Sequence, residues 1–244
     1  MNSDTIISII TVCRNAEETI ETTMRSVAEQ ENVAGLVEHV VVDGASQDST
    51  LNIVKQFPTA RWISEPDDGI SDAFNKGWRL AKGQYVLYLN ADDYLYDPMV
   101  LSDALEFMNN NQHPDWIVGD VLVCENGEIS VPPRGYPPSC WSLMFRNRIC
   151  HQAVFLKRRM FQEVGDFDTG FKMTMDYELW QRLCASGYKL VHFPRLVSVY
   201  SKEGLTAGAP PAMLREHKEV ALRFRDTPLK CLIGTIYDTL KGRP

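Results

Sequence analysis

No glycine stands in the first strand-to-helix turn of this 244-residue chain, which reads TVCRNAEE. A Rossmann dinucleotide site needs G-x-G-x-x-G there, so that backbone amides can approach a pyrophosphate. That class is excluded, and P-loop chemistry goes with it, because no G-x-x-x-x-G-K-[ST] occurs. A basic surplus is missing too: 25 Lys and Arg against 32 Asp and Glu give a formal charge of -7, which argues against a nucleic-acid partner. The six cysteines (Cys13, Cys124, Cys140, Cys150, Cys184 and Cys231) form no C-x-x-C pair and no regular spacing. Several lie in apolar runs, a pattern that fits a reducing cytosol better than a disulfide framework. The N-terminus lacks the basic start and small-residue cleavage site of a signal peptide, and no apolar run approaches the roughly 18 residues of a spanning helix. The expectation is a cytoplasmic protein, free to rest on a membrane surface.

What the chain does have is 44% apolar and 23% charged residues, enough for a large core. Its first half alternates strand and helix. Thr5 to Val12 reads as a buried strand, after which Asn15 caps a helix with Glu18 completing a capping box. Glu38 to Val42 is a second strand, followed by a helix through Phe57 that Ser46 or Asp48 can cap. Arg61 to Ser64 is a third strand. The next helix carries Ile70, Phe74, Trp78 and Ala81 on one face, with Gly83 as its C-cap. Gln84 to Leu89 is a fourth strand, and Asp97-Pro98 opens another helix. Such a βαβα run predicts a parallel sheet whose carboxyl ends hold the ligand. Beyond it, Asp115 to Val131 reads as a hairpin turning at Asn126-Gly127, HQAVFLK as a strand, Asp176 to Ser186 as a helix closed by Gly187, and YKLVHFP and LVSVY as further strand. One domain over 1–226 is expected, dividing at 1–97 and 98–226, with an amphipathic helical appendage over 227–244.

Polar residues cluster at successive strand ends: Thr11 and Arg14, then Asp43, then Asp68, then Asn90, Asp92 and Asp93. Each acid has a plain alternative as a turn former, a helix cap or a solvated side chain. Together they argue otherwise, because so many carboxylates in one crevice repel unless a cation or ligand donors neutralise them.

The segments ISIITVCRN, HVVVDGASQDST, EPDDGISDAFNKG, YLNADD, CHQAVF and MDYELWQRL occur in the order seen in glycosyltransferase family 2, and the chain resembles that family from about Ile6 to Tyr200. DDGISDAFNKG resembles its bacterial exopolysaccharide and capsule branch, which includes the colanic-acid enzymes. The resemblance implies a GT-A fold, a Rossmann-like three-layer α/β/α arrangement with a predominantly parallel mixed sheet. It also implies inverting transfer from a nucleotide-sugar to a saccharide acceptor, with Mn²⁺ or Mg²⁺ as cofactor. Asp92 matches the last acid of the family's D-x-D motif and is the metal ligand; Asn90 stands where the first acid is usual, one charge short. Asp43 matches the acid that accepts from the base's ring N–H, which favours uracil and hence a UDP-sugar. Thr11, Arg14 and Asp68 fall around the same nucleoside pocket.

An inverting transfer is a single displacement, so a base must deprotonate the acceptor hydroxyl. The family's motif puts that base at Asp176; Glu178, two helical positions on, points to another face. As a bland alternative, Asp176 is an N-cap. The resemblance puts His151 and Gln152 near the donor sugar or acceptor, against the plain reading of a satisfied strand histidine. No His follows the last strands in SVYSKEGLTAG, so Lys202 or a backbone group meets the diphosphate instead. In the appendage, Leu229, Leu232, Ile233, Ile236, Tyr237 and Leu240 share a face with basic neighbours. That face packs on the domain or a second subunit, or docks 228–243 on anionic lipid beside a lipid-linked acceptor. Rival readings are a sugar-nucleotide nucleotidyltransferase, which needs a Gly-rich basic loop after the first strand, and a catalytically inactive nucleotide- or sugar-binding module.

Overall fold

The computed structural model describes residues 5–132, 140–143, 147–203 and 211–225. The expected alternation of the first half is present. Strands β1 (Ile7–Cys13), β2 (Val37–Asp43), β3 (Ala60–Ser64) and β4 (Tyr85–Tyr88) are joined through helices α1 (Ile20–Ala28), α2 (Thr50–Val54) and α3 (Ile70–Leu80). They pair in parallel in the order β3-β2-β1-β4. Every residue of β1 is buried, as a strand covered on both faces requires. Ile10 and Val12 pack with Phe74 of α3 on one face, while Ile7 and Ile9 pack on the other with Leu101 and Ala104 of α4 (Val100–Asn110). These are the three layers of the GT-A arrangement.

The sheet continues into the second half through β5 (Tyr94–Leu95), β6 (Trp116–Glu125), β7 (Glu128–Ser130), β8 (Val154–Lys157) and β9 (Leu190–Ser201), giving the order β3-β2-β1-β4-β8-β6-β9-β5 with β7 on β6. β8 runs antiparallel to both β4 and β6. The hairpin turns at Asn126 and Gly127, both with positive φ as a two-residue turn demands. The two apolar runs after residue 187 form one strand, not two. β9 passes through Pro194 by a bulge, where its register on β6 jumps from Val118↔His192 to Asp120↔Leu196. Helices α5 (Cys140–Leu143), α6 (Arg159–Val164), α7 (Met175–Ala185) and α8 (Pro211–Arg223) complete the described chain.

Several local expectations need correction. Asn15 caps no helix: it has φ 51° and α1 begins only at Ile20. Its Oδ1 instead accepts the Gln47 N–H at 2.9 Å and its N–H donates to Ser46 Oγ at 2.8 Å, stitching the first crevice loop to the second. α2 ends at Val54, and Asp48 rather than Ser46 takes an amide at its start, that of Thr50. Ala81, not Gly83, is the C-cap of α3; a Cβ at Gly83 would lie 2.7 Å from the Ser8 nitrogen, so close approach to β1 requires the glycine. HQA is a 3₁₀ turn ahead of β8. Cys140 and Cys184 form a disulfide between α5 and α7, where free thiols were expected. Among the described residues no helix is long and apolar enough to cross a membrane. The appendage 227–244, with its lipid-facing or subunit-facing surface over 228–243, lies outside the described residues.

Candidate active site

The carboxyl ends of β1 and β4 open into a crevice of about 1590 Å³. Arg14, Asp67 and Gly69 line its first side, Asn90 to Asp93 its floor, and Asn147 to Gln152 with Asp176 the far side. Because β8 runs against β4, the residues that precede it, not those that follow, reach this mouth. This is how His151 comes to face Asn90.

At the floor, Asp93 is 1% exposed and fully bonded: Oδ2 accepts Gln152 Nε2–H at 2.9 Å, and Oδ1 accepts the Ser201 N–H at 3.0 Å. Thr23 Oγ1 donates to the Asp93 carbonyl at 2.6 Å, which ties the loop to α1. Burial, and after it the charge of Asp92, push the Asp93 carboxyl up to about 7. Asp92 lines the crevice beside it, and burial raises its carboxyl as well. Asn90 Oδ1 is buried with no hydrogen-bond partner among the described residues. A strained pair of acids and an orphaned acceptor at one strand end suit a hard divalent cation, whose positive charge would relieve both. No group of three or more His, Cys, Asp or Glu is gathered for a metal among the described residues. Among the described residues, Asp92 and the Asn90 oxygen could contribute to such a shell, with a ligand's oxygens beside them.

Across the crevice, Asp176 lies in the first turn of α7 with its side chain 12% exposed. It is not the cap, since Thr174 occupies that position. Asp176 Oδ1 takes the Tyr177 N–H at 2.6 Å, and Asn147 Nδ2 lies 3.4 Å from each oxygen. His151 stands between the two ends: Nε2 is 3.2 Å from Asn90 Nδ2, and Nδ1 is 3.6 Å from Asp176 Oδ2. Glu178 does face elsewhere, buried against Arg182 at 2.8 Å. The amides ahead of α7 are satisfied from α8, where the Glu216 carboxylate accepts the N–H groups of Lys172, Met173 and Thr174 at 2.9–3.1 Å. Met213, Leu214 and His217 of the same helix line the crevice.

Not every expected site residue reaches the crevice. Thr11 is fully buried and bonds His39 Nε2 at 2.9 Å. Asp43 is fully buried as well, its carboxylate accepting from Ser46 N–H at 3.1 Å and from Ser64 Oγ at 2.6 Å. Both support the loops rather than line the cavity. Asp68 is exposed, and it is its neighbour Asp67 that lines the crevice, accepting the Gly69 N–H at 2.9 Å. A Cβ at Gly44 would collide with Asp67 Oδ2, so that glycine makes room for the acid. Gln152 does line the crevice, but its amide serves Asp93. Lys202 also lines it, paired with Glu125 at 2.8 Å. Asn147, Arg148 and Glu216 went unmarked in the sequence; two sit in an irregular loop and one on a helix with no motif to announce it.

Residues 8–167 match the family described as glycosyl transferase family 2. The PGL/p-HBAD biosynthesis glycosyltransferase of Mycobacterium bovis is 32% identical over 189 residues, covering 75% of this chain and 71% of that protein. An uncharacterised glycosyltransferase of Rickettsia felis is 25% identical over 178 residues, 68% of this chain and 29% of its own length. Among solved structures, Staphylococcus aureus TarS 1-349 in complex with UDP-GlcNAc superposes with a TM-score of 0.71 at 20% identity. That match covers 88% of this chain but only 64% of the TarS fragment. The mannosyltransferase PcManGT of Pyrobaculum calidifontis, in complex with GDP-Man and Mn²⁺, superposes with a TM-score of 0.64 at 17% identity, over 96% of this chain and 75% of that one.

Proposed function

We propose that this chain, which belongs to glycosyltransferase family 2, is a metal-dependent inverting enzyme. It moves one sugar from a nucleotide-sugar, a UDP-sugar in the first instance, to a saccharide acceptor in the synthesis of a bacterial surface polysaccharide. One observation carries the reading. Two acids far apart in sequence, Asp92 and Asp176, line the same crevice, with His151 between Asp176 and Asn90.

Arg14 and Asp67 face the nucleotide, on loops braced by Asp43 and Thr11 from below. Asp92 and the Asn90 oxygen would hold Mn²⁺ or Mg²⁺. The bound cation supplies positive charge for the leaving diphosphate. Asp176 takes the proton of the acceptor hydroxyl, which attacks the anomeric carbon from the face opposite the diphosphate and inverts it. The acceptor end is walled by Ile149, Met173, Met175, Met213 and Leu214, which suits a saccharide carried on an apolar anchor.

The test is a thermal-shift panel of UDP-, GDP- and dTDP-sugars with and without Mn²⁺, followed by the stereochemistry of the product. A ligand that binds only the folded state stabilises by about 2.7 kcal/mol at 100 times its dissociation constant, so the preferred donor stands out. Retained anomeric configuration in the product overturns the single displacement. Binding of UDP without transfer or donor hydrolysis in any condition leaves a binding module instead.

A further inference from the structure

Asp176 is held on several sides, and the approach to Oδ2 is taken by His151 Nδ1 at 3.6 Å. The opposite ring nitrogen, Nε2, faces the side-chain N–H of Asn90 at 3.2 Å. An amide N–H only donates, so Nε2 is the unprotonated acceptor of that bond. A neutral imidazole then carries its single proton on Nδ1, aimed at Asp176. Phe74 stands edge-on to the ring, with centroids 5.4 Å apart and planes at 75°, and packs against one side of it. Asn147 Nδ2 stands 3.4 Å from both oxygens and Tyr177 N–H donates to Oδ1 alone at 2.6 Å, so Oδ2 is the less engaged oxygen and the one to receive a proton.

We propose that His151 is a positioning residue for the base: as the Nδ1–H tautomer, fixed by Asn90, it orients Asp176 Oδ2 towards the acceptor hydroxyl. This rests on the reading of Asp176 as the base. At 3.6 Å the contact is longer than a hydrogen bond, and the proposal requires it to close when the acceptor enters, as catalytic contacts often do. The inference also gives a reason for the missing acid at position 90. A carboxylate there accepts and never donates, so it draws the imidazole proton to Nε2 and turns the Nδ1 lone pair on Asp176. An amide does the reverse.

The two nitrogens of a histidine can be replaced separately. The side-chain N–H of asparagine falls near where Nδ1 stands, and that of glutamine near Nε2. The experiment compares His151→Asn, His151→Gln and His151→Ala, with Asp176→Asn beside them, measuring kcat, both KM values and UDP binding by thermal shift. The expected result is that His151→Asn turns over roughly tenfold or more faster than His151→Gln and His151→Ala, with UDP binding equal in all three, a difference of the size seen when orienting partners are removed. Equal turnover in the Asn and Gln variants, or a better Gln variant, overturns the inference, because the imidazole then serves the Asn90 side. If the variants fold poorly, long-range ¹H–¹⁵N correlation on the unaltered protein decides. Only five histidines must be sorted; an Nδ1–H tautomer at His151 supports the inference and an Nε2–H tautomer overturns it. Near-normal turnover in Asp176→Asn removes the base itself, a separate failure that the His151 series does not produce.

Discussion

Gln152 donates its side-chain N–H to the buried carboxylate of Asp93 at 2.9 Å, joining the turn before β8 to the loop after β4. Since Ser201 N–H holds the other oxygen, one carboxylate fixes three segments of the crevice. Replacing Gln152 by Leu leaves a buried acceptor short of a donor, a deficit worth about 1–3 kcal/mol. The expected outcome is a lower melting temperature together with weaker donor binding, since Asp92 is the next residue. A Gln152→Leu protein with unaltered stability would mean that water replaces the amide at no cost.

Asp92→Ala is expected to abolish the stabilisation that Mn²⁺ adds in the presence of UDP, and EDTA is expected to stop turnover of the unaltered enzyme. A rate untouched by EDTA refutes metal dependence whatever the variant does. Asn90→Asp separates two effects. The added charge tightens Mn²⁺ binding, while the reversed polarity towards His151 lowers kcat; titration of Mn²⁺ against rate reads both.

Asp176→Asn keeps the size of the side chain and removes its basicity. The helix start keeps its acceptors, since an asparagine Oδ1 takes the Tyr177 N–H as Asp176 Oδ1 does and Glu216 satisfies the amides ahead of α7. The melting temperature is therefore expected to hold while turnover falls by roughly 10²–10⁴, the usual worth of a general base. Differential scanning fluorimetry beside a released-UDP assay makes the comparison.

Glu216→Ala removes the acceptor for three successive amides. The expected result is a loss of about 1–3 kcal/mol in stability, the cost of unpairing groups of this kind. A rise in acceptor KM is expected with it, while UDP binding is retained because the donor loops lie elsewhere. A change in UDP affinity as large as that in acceptor KM would mean that α8 also governs the donor side.

Two buried groups oppose each other as pH changes. Burial lowers the pKa of His39 from 6.5 to about 4, so the unfolded chain takes a proton that the folded chain refuses, and stability falls as pH drops through that window. Asp93 has its pKa raised from 3.8 to about 7, so over that range the folded chain holds a proton that the unfolded chain has lost, and stability rises as pH drops. His39→Gln removes the first effect and keeps a hydrogen-bonding group against Thr11. Between about pH 7 and 5 this variant is expected to gain stability on acidification relative to the unaltered protein, read from denaturant melts. Parallel curves for the two proteins would refute it.

The parallel half of the sheet was legible because hydrophobic runs and their spacing fix it locally. The acids at the end of β4 and at the start of α7 could be read from their motifs. What could not be read is which polar groups turn inward. Asp67 and Asp68 are equivalent in sequence, and only the path of the chain around Gly69 brings the first to the crevice. Asp43 looks available in sequence but is consumed by Ser46 and Ser64, 3 and 21 residues away. The capping box at Asn15 failed because two crevice loops bond each other more fully than either caps its own helix.

The antiparallel course of β8 sets where this chain can tolerate insertions. His151 is carried to Asn90 by a rigid count: a 3₁₀ turn of three residues, then a strand locked to β4 through Val86↔Leu156 and Tyr85↔Lys157. One residue added between 151 and 156 moves the imidazole out of line with both of its neighbours, however well the fold survives. Residues 167–174 are pinned as well, Phe167 by both ends of the Asn75 amide and Phe171 by Ser71 of α3, but that count positions α7 rather than His151. Length variation among natural variants of this chain should therefore be missing between Cys150 and Lys157.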